Sequence, residues 1–151
     1  MYSYTEEVSE QLNGILEKNY DAEKGYRTAA ENASSESLKL FFDRKSTERK
    51  VFGKQLAAEI ATFGKVPEKN GSAKGTAHRA WMNTKAFFTP DNDEAMLEEA
   101  IRGEKASIEE YNEVLSDTKV HLPKSTTNIL KIQRDTILSD SNAIKTLEDI
   151  K

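Results

Sequence analysis

Residues 8–33 read VSEQLNGILEKNYDAEKGYRTAAENA, and this stretch decides the fold. Its apolar side chains recur every three or four residues, which places them on one face of an α-helix. We therefore predict a long amphipathic helix from about Tyr4 to Ala33, which must bury that face against other elements. The apolar positions are Tyr4, Val8, Leu12, Ile15, Leu16, Ala22, Tyr26, Ala29, Ala30 and Ala33.

Three further stretches have the same apolar period and are predicted to be helices. Ser34 and Ser35 supply cap chemistry between the first helix and the second, and Gly64 is typical of the residue just past a helix end. Pro90, with acids after it, indicates the start of the third helix. The predicted helices cover about 36–63, about 89–116, and about 123 to the C-terminus, where Ile144 and Leu147 continue the stripe.

The lengths of the three connections predict how the helices are arranged. The first and third linkers are short, so their flanking helices should be antiparallel neighbours. The middle linker, about 64–92, is long and contains a predicted short helix at Thr76–Phe88. We predict a single all-α domain over 1–151, a ferritin-like four-helix bundle of two antiparallel hairpins joined by this crossover. An up-down-up-down bundle with a decorated loop is the alternative.

Composition narrows the functional classes. The 151 residues include no cysteine, which excludes disulfides, thiolate metal sites and cysteine nucleophiles. The net charge of -4 argues against bulk affinity for nucleic acid. No apolar run approaches the ~20 residues of a membrane span. The stretch from Met1 to Glu7 lacks the regions of a signal peptide, so we expect a cytoplasmic protein with no membrane association.

Each predicted helix carries one acidic residue near the middle of its apolar stripe. The four are Glu23, Glu48, Glu104 and Asp140, and they could share one layer of the bundle. Buried carboxylates are costly unless they are paired, hydrogen-bonded or bound to metal. The layer therefore predicts either a metal site or an ion-pair network.

The metal hypothesis has a specific weakness. Ferritin-like di-iron sites use a Glu-x-x-His motif on two of the helices. The positions three residues after Glu48, Glu104 and Asp140 are Val51, Ser107 and Ala143, and both histidines, His78 and His121, lie outside the long helices. A carboxylate-only site for a divalent cation remains an alternative.

The preferred interpretation is an ion-pair network with no cofactor. Basic residues flank the stripes close to the acids, and an arginine can satisfy a carboxylate bidentately. The expected partners of the four acids are Arg27, Arg49 and Arg134, and Lys45 also flanks the layer.

The crossover is locally basic. Between Lys65 and Lys85 there are five basic residues and one acidic residue. We predict an interaction surface for a protein partner or a second copy of the chain, and a small anion or nucleic acid is the alternative. Its residues are Lys74, His78, Arg79 and Trp81. The simpler interpretation is that Trp81 pins the crossover to the bundle while the basic residues stay solvated.

Several runs resemble a bacterial family of ferritin-like four-helix-bundle proteins known only as a domain of unknown function. They are Leu12–Glu17, Asp21–Arg27, Ala29–Ala33, Gly71-Ser72 with Gly75, His78–Met82, Arg102-Gly103-Glu104 and Tyr111. The resemblance covers nearly the whole chain and implies a ferritin-like fold and a bacterial origin. It implies no established activity. Relatives in the ferritin-like superfamily store iron, oxidise substrates or protect against stress, but their iron ligands do not map onto this sequence.

The sequence therefore predicts a non-catalytic structural or protein-interaction bundle, with a role in stress physiology as a further expectation. The two alternatives are a metal-binding or metal-oxidising carboxylate bundle, and an anion- or nucleic-acid-binding protein that uses the basic crossover.

Overall fold

The computed structural model describes residues 4–69 and 92–150, and this part of the chain is all-α. It contains four α-helices and no strand, which confirms the predicted helical bundle at that level. The helices are α1 (Tyr4–Asn32), α2 (Glu36–Thr62), α3 (Asp93–Leu115) and α4 (Lys124–Ala143), followed by a 3₁₀ turn at Leu147–Asp149. The predicted crossover helix at Thr76–Phe88 lies outside the described residues.

Local capping chemistry marks both ends of α2, and a long-range contact fixes the start of α3. Ser35 is the N-cap of α2, and its hydroxyl accepts a hydrogen bond from the Leu38 amide at 3.3 Å. Gly64 follows α2 with φ at +73°, a left-handed conformation that favours glycine. Asp93 begins α3, and its carboxylate accepts from the amides of Ser34 and Ser35 at 2.7 and 2.8 Å. The start of α3 is therefore fixed to the turn between α1 and α2.

The prediction that α4 reaches the C-terminus is wrong, because the helix ends at Ala143. The carboxylate of Asp149 accepts from the amides of Lys145 and Thr146 at 2.9 and 3.0 Å. Such local side-chain bonds compete with helix continuation. Leu147, which was predicted to lie on the α4 stripe, is instead 38% exposed.

The apolar stripes meet in two clusters at opposite ends of the bundle. The α1 stripe is buried as predicted except at Tyr4, which is 48% exposed. One cluster contains Ala22, Tyr26, Ala29, Ala30, Ala33, Leu38, Phe41, Phe42, Met96, Leu97 and Ala100. The other contains Val8, Leu12, Ile15, Leu16, Phe52, Leu56, Ile60, Tyr111, Val120, Leu130 and Ile137.

Among the described helices, none combines the length and the apolar character needed to cross a bilayer.

Candidate functional site

A buried ammonium group lies at the centre of a charged layer between the two apolar clusters. Lys45 on α2 is fully buried. Its Nζ lies 2.6 Å from Glu48 Oε2, 2.9 Å from Glu104 Oε1 and 2.7 Å from Asp140 Oδ2. These carboxylates belong to α2, α3 and α4, so one cation ties three helices together.

A second buried cation lies one helical turn further along α2. Arg49 is only 2% exposed, and its Nη2 lies 2.7 Å from Glu104 Oε2 and 3.0 Å from Ser107 Oγ. Its Nη1 donates to Asn19 Oδ1 on α1 at 3.0 Å. Glu104 therefore binds a different cation at each of its two oxygens, and the charged layer reaches all four helices.

The electrostatics of this layer keep Glu104 and Lys45 ionised at neutral pH. Burial alone would raise the pKa of Glu104, but the charges of Arg49 and Lys45 outweigh it and lower that pKa below its usual value. Burial alone would likewise lower the pKa of Lys45, but the Glu104 and Glu48 carboxylates raise it above its usual value. For Tyr26, burial first and then the charge of Glu104 raise the pKa of the phenol well above its usual range.

A neutral hydrogen-bond network continues from Arg49 toward the second apolar cluster. Asn19 Nδ2 donates to the Tyr111 hydroxyl at 3.0 Å, and that hydroxyl donates to Gln133 Oε1 at 2.6 Å. Gln133 Nε2 in turn donates to Gln55 Oε1 at 2.8 Å. Burial raises the pKa of Tyr111 to about 12, so this phenol is a neutral donor under ordinary conditions.

The structure brings together three of the four acids that the sequence placed in one layer. Glu48, Glu104 and Asp140 converge on Lys45, whereas Glu23 does not. Instead, Glu23 Oε2 lies 2.5 Å from Arg27 Nη2, one turn along the same helix. A neighbour at i+4 is always within reach on a helix, so this local pair competes with the core for Glu23.

The three predicted arginine partners lie in three different places. Arg49 is inside the layer, and Arg27 pairs with Glu23 near the surface. Arg134 lies away from the layer, with Nη2 3.0 Å from Asp135 Oδ1 and Nη1 3.0 Å from Asn112 Oδ1. Six residues separate Arg134 from Asp140, about 9 Å along the axis and two-thirds of a turn around it, so both cannot face one point.

Sequence reasoning placed Lys45 beside the layer and missed that it is the centre. The available signal was its spacing, four residues after Phe41 and four before Arg49, both on the buried face of α2. A lysine there is ordinarily read as a flanking residue because its long stem lets the ammonium reach water.

The carboxylates of the layer could hold a divalent cation only if the side chain now lying among them moved out. Within residues 4–69 and 92–150, no group of three or more His, Asp or Glu side chains is arranged to bind a metal ion. A cation placed among Glu48, Glu104 and Asp140 would need the position of the Lys45 ammonium. The predicted surface of Lys74, His78, Arg79 and Trp81 lies outside the described residues.

These features define the class of protein, an all-helical bundle whose core is crossed by a charged layer. Residues 7–117 match the family described as Domain of unknown function (DUF2383), and the chain belongs to that family. The sequence resemblance to a domain of unknown function is thereby confirmed. The match begins within the first turn of α1, covers α2 and α3, and ends before α4. A search of curated proteins finds no significant match.

Proposed function

We propose that this protein is a non-catalytic helical bundle that acts by binding another protein or a second copy of itself. The observation that carries the proposal is the contact of Lys45 and Arg49 with the core carboxylates at 2.6–2.9 Å. An acid-base catalyst works best with a pKa near the operating pH. Here the pKa of Glu104 is lowered and that of Lys45 is raised, so both groups keep their charge near neutral pH.

The partner-binding part of the proposal is tested at the surface predicted from the sequence. Trp81→Ala and Arg79→Ala should reduce recovery of cross-linked partner or dimer while the unfolding midpoint stays unchanged. Lys105→Ala, at an exposed position on α3, is the matched control. Equal recovery from all variants would contradict the assignment of this surface.

The carboxylate metal site is tested by elemental analysis of protein purified without chelator. We expect much less than one equivalent of Mn, Fe or Ca per chain. Stoichiometric metal that is lost in Glu104→Gln and kept in Glu109→Gln would overturn the non-catalytic assignment. Glu109 is the suitable control because it is an exposed carboxylate on the same helix.

We further propose that the bundle has the ferritin-like arrangement of two antiparallel hairpins. Support for the first hairpin comes from the contacts of α1 with α2 and the residues that follow it. Ser46 Oγ donates to the Glu23 carbonyl at 2.9 Å, and Glu68 N donates to Asn13 Oδ1 at 2.9 Å. Residue numbers fall on α1 as they rise along the second segment, which is the pattern of antiparallel neighbours.

The second hairpin is supported by the same reversal between α3 and α4. Arg134 Nη1 on α4 donates to Asn112 Oδ1 on α3, and earlier on α3 Glu104 meets Asp140 across Lys45.

The course of the chain on either side of residues 70–91 supports the crossover. After Gly64 the chain turns back along α1, where Asn13 binds the amide of Glu68 and the Tyr20 hydroxyl donates to the Glu68 carbonyl at 3.1 Å. The chain returns at Asp93, beside the turn where α2 begins. Helices α2 and α3 therefore start at the same end, as a ferritin-like crossover requires.

Distances between spin labels test this arrangement directly, and the absence of native cysteine makes site-specific labelling clean. A Ser37→Cys/Glu94→Cys pair should be close, while a Thr62→Cys/Glu94→Cys pair should be separated by about the length of α2, roughly 40 Å. An up-down-up-down bundle would reverse the order of the two distances.

A further inference from the structure

An apolar groove runs between α2 and α4 on the outer surface of the bundle. Its volume is about 350 Å³. Ile132 in its wall is 66% exposed, and Val51, one turn before Gln55 on the same face of α2, is 45% exposed. The groove is lined by Gln55, Ala58, Glu59, Thr62, Ile129 and Ile132.

Glu59 is the one acidic residue among the described residues that line the groove, and its carboxylate is bound within the wall. Glu59 is only 9% exposed. Its Oε2 accepts from Ser125 Oγ at 2.9 Å and from Thr126 Oγ1 at 2.6 Å, both at the start of α4. The charge of Glu59 is therefore directed toward α4, and the open surface of the groove stays mainly apolar.

Exposed lysines flank the groove on both helices. On α2, Lys54 lies three residues after Val51 and four before Ala58, which makes it a neighbour of both on the helix surface. Lys50 lies one turn before Lys54. On α4, Lys131 immediately precedes Ile132. Lys124 lies one turn before Asn128, which itself lies one turn before Ile132.

This basic flank has the opposite sign to the net charge of the chain. Asp135, the acidic residue beside Ile132 on α4, pairs with Arg134 at 3.0 Å. The four lysines therefore give the groove a local positive charge in a chain whose net charge is -4. Complementary charge at the rim of an apolar contact steers association and selects the partner.

We propose that this groove binds an amphipathic helix of a partner protein, one with an apolar stripe between acidic flanks. The stripe would pack on Val51, Ala58 and Ile132, and its Asp and Glu residues would face the lysines, as in other helix-in-groove contacts. The stretch from Val51 to Thr62 offers about three turns of contact length. A symmetric pair of copies does not fit, because it would place each lysine row opposite its like. This inference rests on the proposed protein-binding function.

Two synthetic helical peptides of equal length test the proposal. Both carry Leu at i, i+3, i+4 and i+7, and they differ only in having Glu or Lys at the flanking positions. In titrations followed by fluorescence anisotropy, the Glu peptide should bind, more weakly as salt rises, and the Lys peptide should not. Ile132→Ser should weaken binding about tenfold, equivalent to about 1.4 kcal/mol.

Matched variants locate the contact. The double variant Lys54→Glu/Lys131→Glu should bind the Glu peptide more weakly and the Lys peptide more tightly than wild type does. Leu40→Ser is the control, because Leu40 is an equally exposed apolar residue (63%) elsewhere on α2.

Three results would contradict the proposal that the groove binds an acidic amphipathic helix. They are no binding of the Glu peptide, equal binding of both peptides, or binding that Ile132→Ser leaves unchanged. A single-stranded oligonucleotide that binds wild type and not the double-lysine variant would reassign the flank to nucleic acid. If the peptides fail while Trp81→Ala still abolishes partner capture, the groove is wrong and the proposed function stands. If the peptide titration and the partner-capture assay both fail, both the groove and the proposed protein-binding function are wrong.

Discussion

Lys45 is the cation at the centre of the charged layer. Three carboxylates lie within 2.9 Å of its ammonium, from three helices, and it has no exposed surface. A buried ion cluster contributes modestly to stability compared with an apolar core of the same shape, but removal of one partner leaves uncompensated charge. The position therefore tolerates substitution poorly.

Lys45→Met should lower the free energy of unfolding by about 3–5 kcal/mol, because it removes the cation that Glu48, Glu104 and Asp140 share and leaves only Glu104 with a second cation, Arg49. Urea denaturation measures the change. Lys50→Met, at an exposed position on α2, should stay within about 0.5 kcal/mol of wild type.

Glu48→Gln added to Lys45→Met should recover part of this loss, since Glu48 pairs with Lys45 and its charge has then lost that cation. If Lys45→Met costs no more than Lys50→Met, the ammonium does not hold the layer together.

The sequence predicted the acids of this layer better than its cations. Glu48, Glu104 and Asp140 lie mid-stripe on their helices, and periodicity alone shows that. Periodicity does not show which of several basic side chains is enclosed. That depends on the height and rotation of each helix, and these are set only when the helices pack.

At the scale of elements, the ends of the helices were predicted well where capping residues mark them. The α1–α2 turn and the end of α2 match Ser34, Ser35 and Gly64 to within a residue. The end of α4 was missed because Ile144 and Leu147 keep a helical spacing. Asp149, whose pKa is lowered by the amides of Lys145 and Thr146, gives those two amides an acceptor outside the helix.

Asp149→Ala should release the C-terminal turn, because the amides of Lys145 and Thr146 lose their acceptor. Hydrogen exchange at these two amides should become faster. Glu148→Ala, a neighbouring exposed carboxylate, should leave exchange unchanged. Equal exchange in the two variants would contradict the capping role of Asp149.

Glu59 and Thr126 should couple α2 to α4. The hydroxyl of Thr126, fully buried, donates to Glu59 Oε2 at 2.6 Å. In a double-mutant cycle of Glu59→Gln and Thr126→Val, we expect a coupling free energy of about 1–2 kcal/mol by chemical denaturation. Additive effects would show that the two side chains act independently.

At the scale of the whole molecule, the charged layer should limit stability at both extremes of pH. The pKa of Glu104 is lower in the folded protein than its ordinary value of 4.5. Its contribution is therefore complete above pH 4.5 and is lost as the pH falls through the lowered value. The pKa of Lys45 is shifted in the opposite direction, above 10.5. The contribution of Lys45 to stability is therefore complete below pH 10.5 and is lost at higher pH.

Urea midpoints measured across pH should therefore fall on both sides of a neutral plateau. Tyr111 adds to the alkaline loss between its ordinary pKa of 10.0 and its raised value of about 12, since the unfolded chain ionises first. Glu104→Gln should flatten the acid side, and Glu109→Gln should not. Parallel acid profiles for wild type and Glu104→Gln would show that other groups control acid unfolding.

The sequence by itself determined the helices, their buried faces and the presence of a carboxylate layer, because the helical period and capping chemistry are local properties of the chain. Only the tertiary structure decided that Lys45 is the centre of the layer, that Glu23 is outside it and that an apolar groove with basic flanks remains between α2 and α4. These depend on the depth and rotation at which the helices pack. Distant residues determine both together, and no short stretch of sequence encodes them.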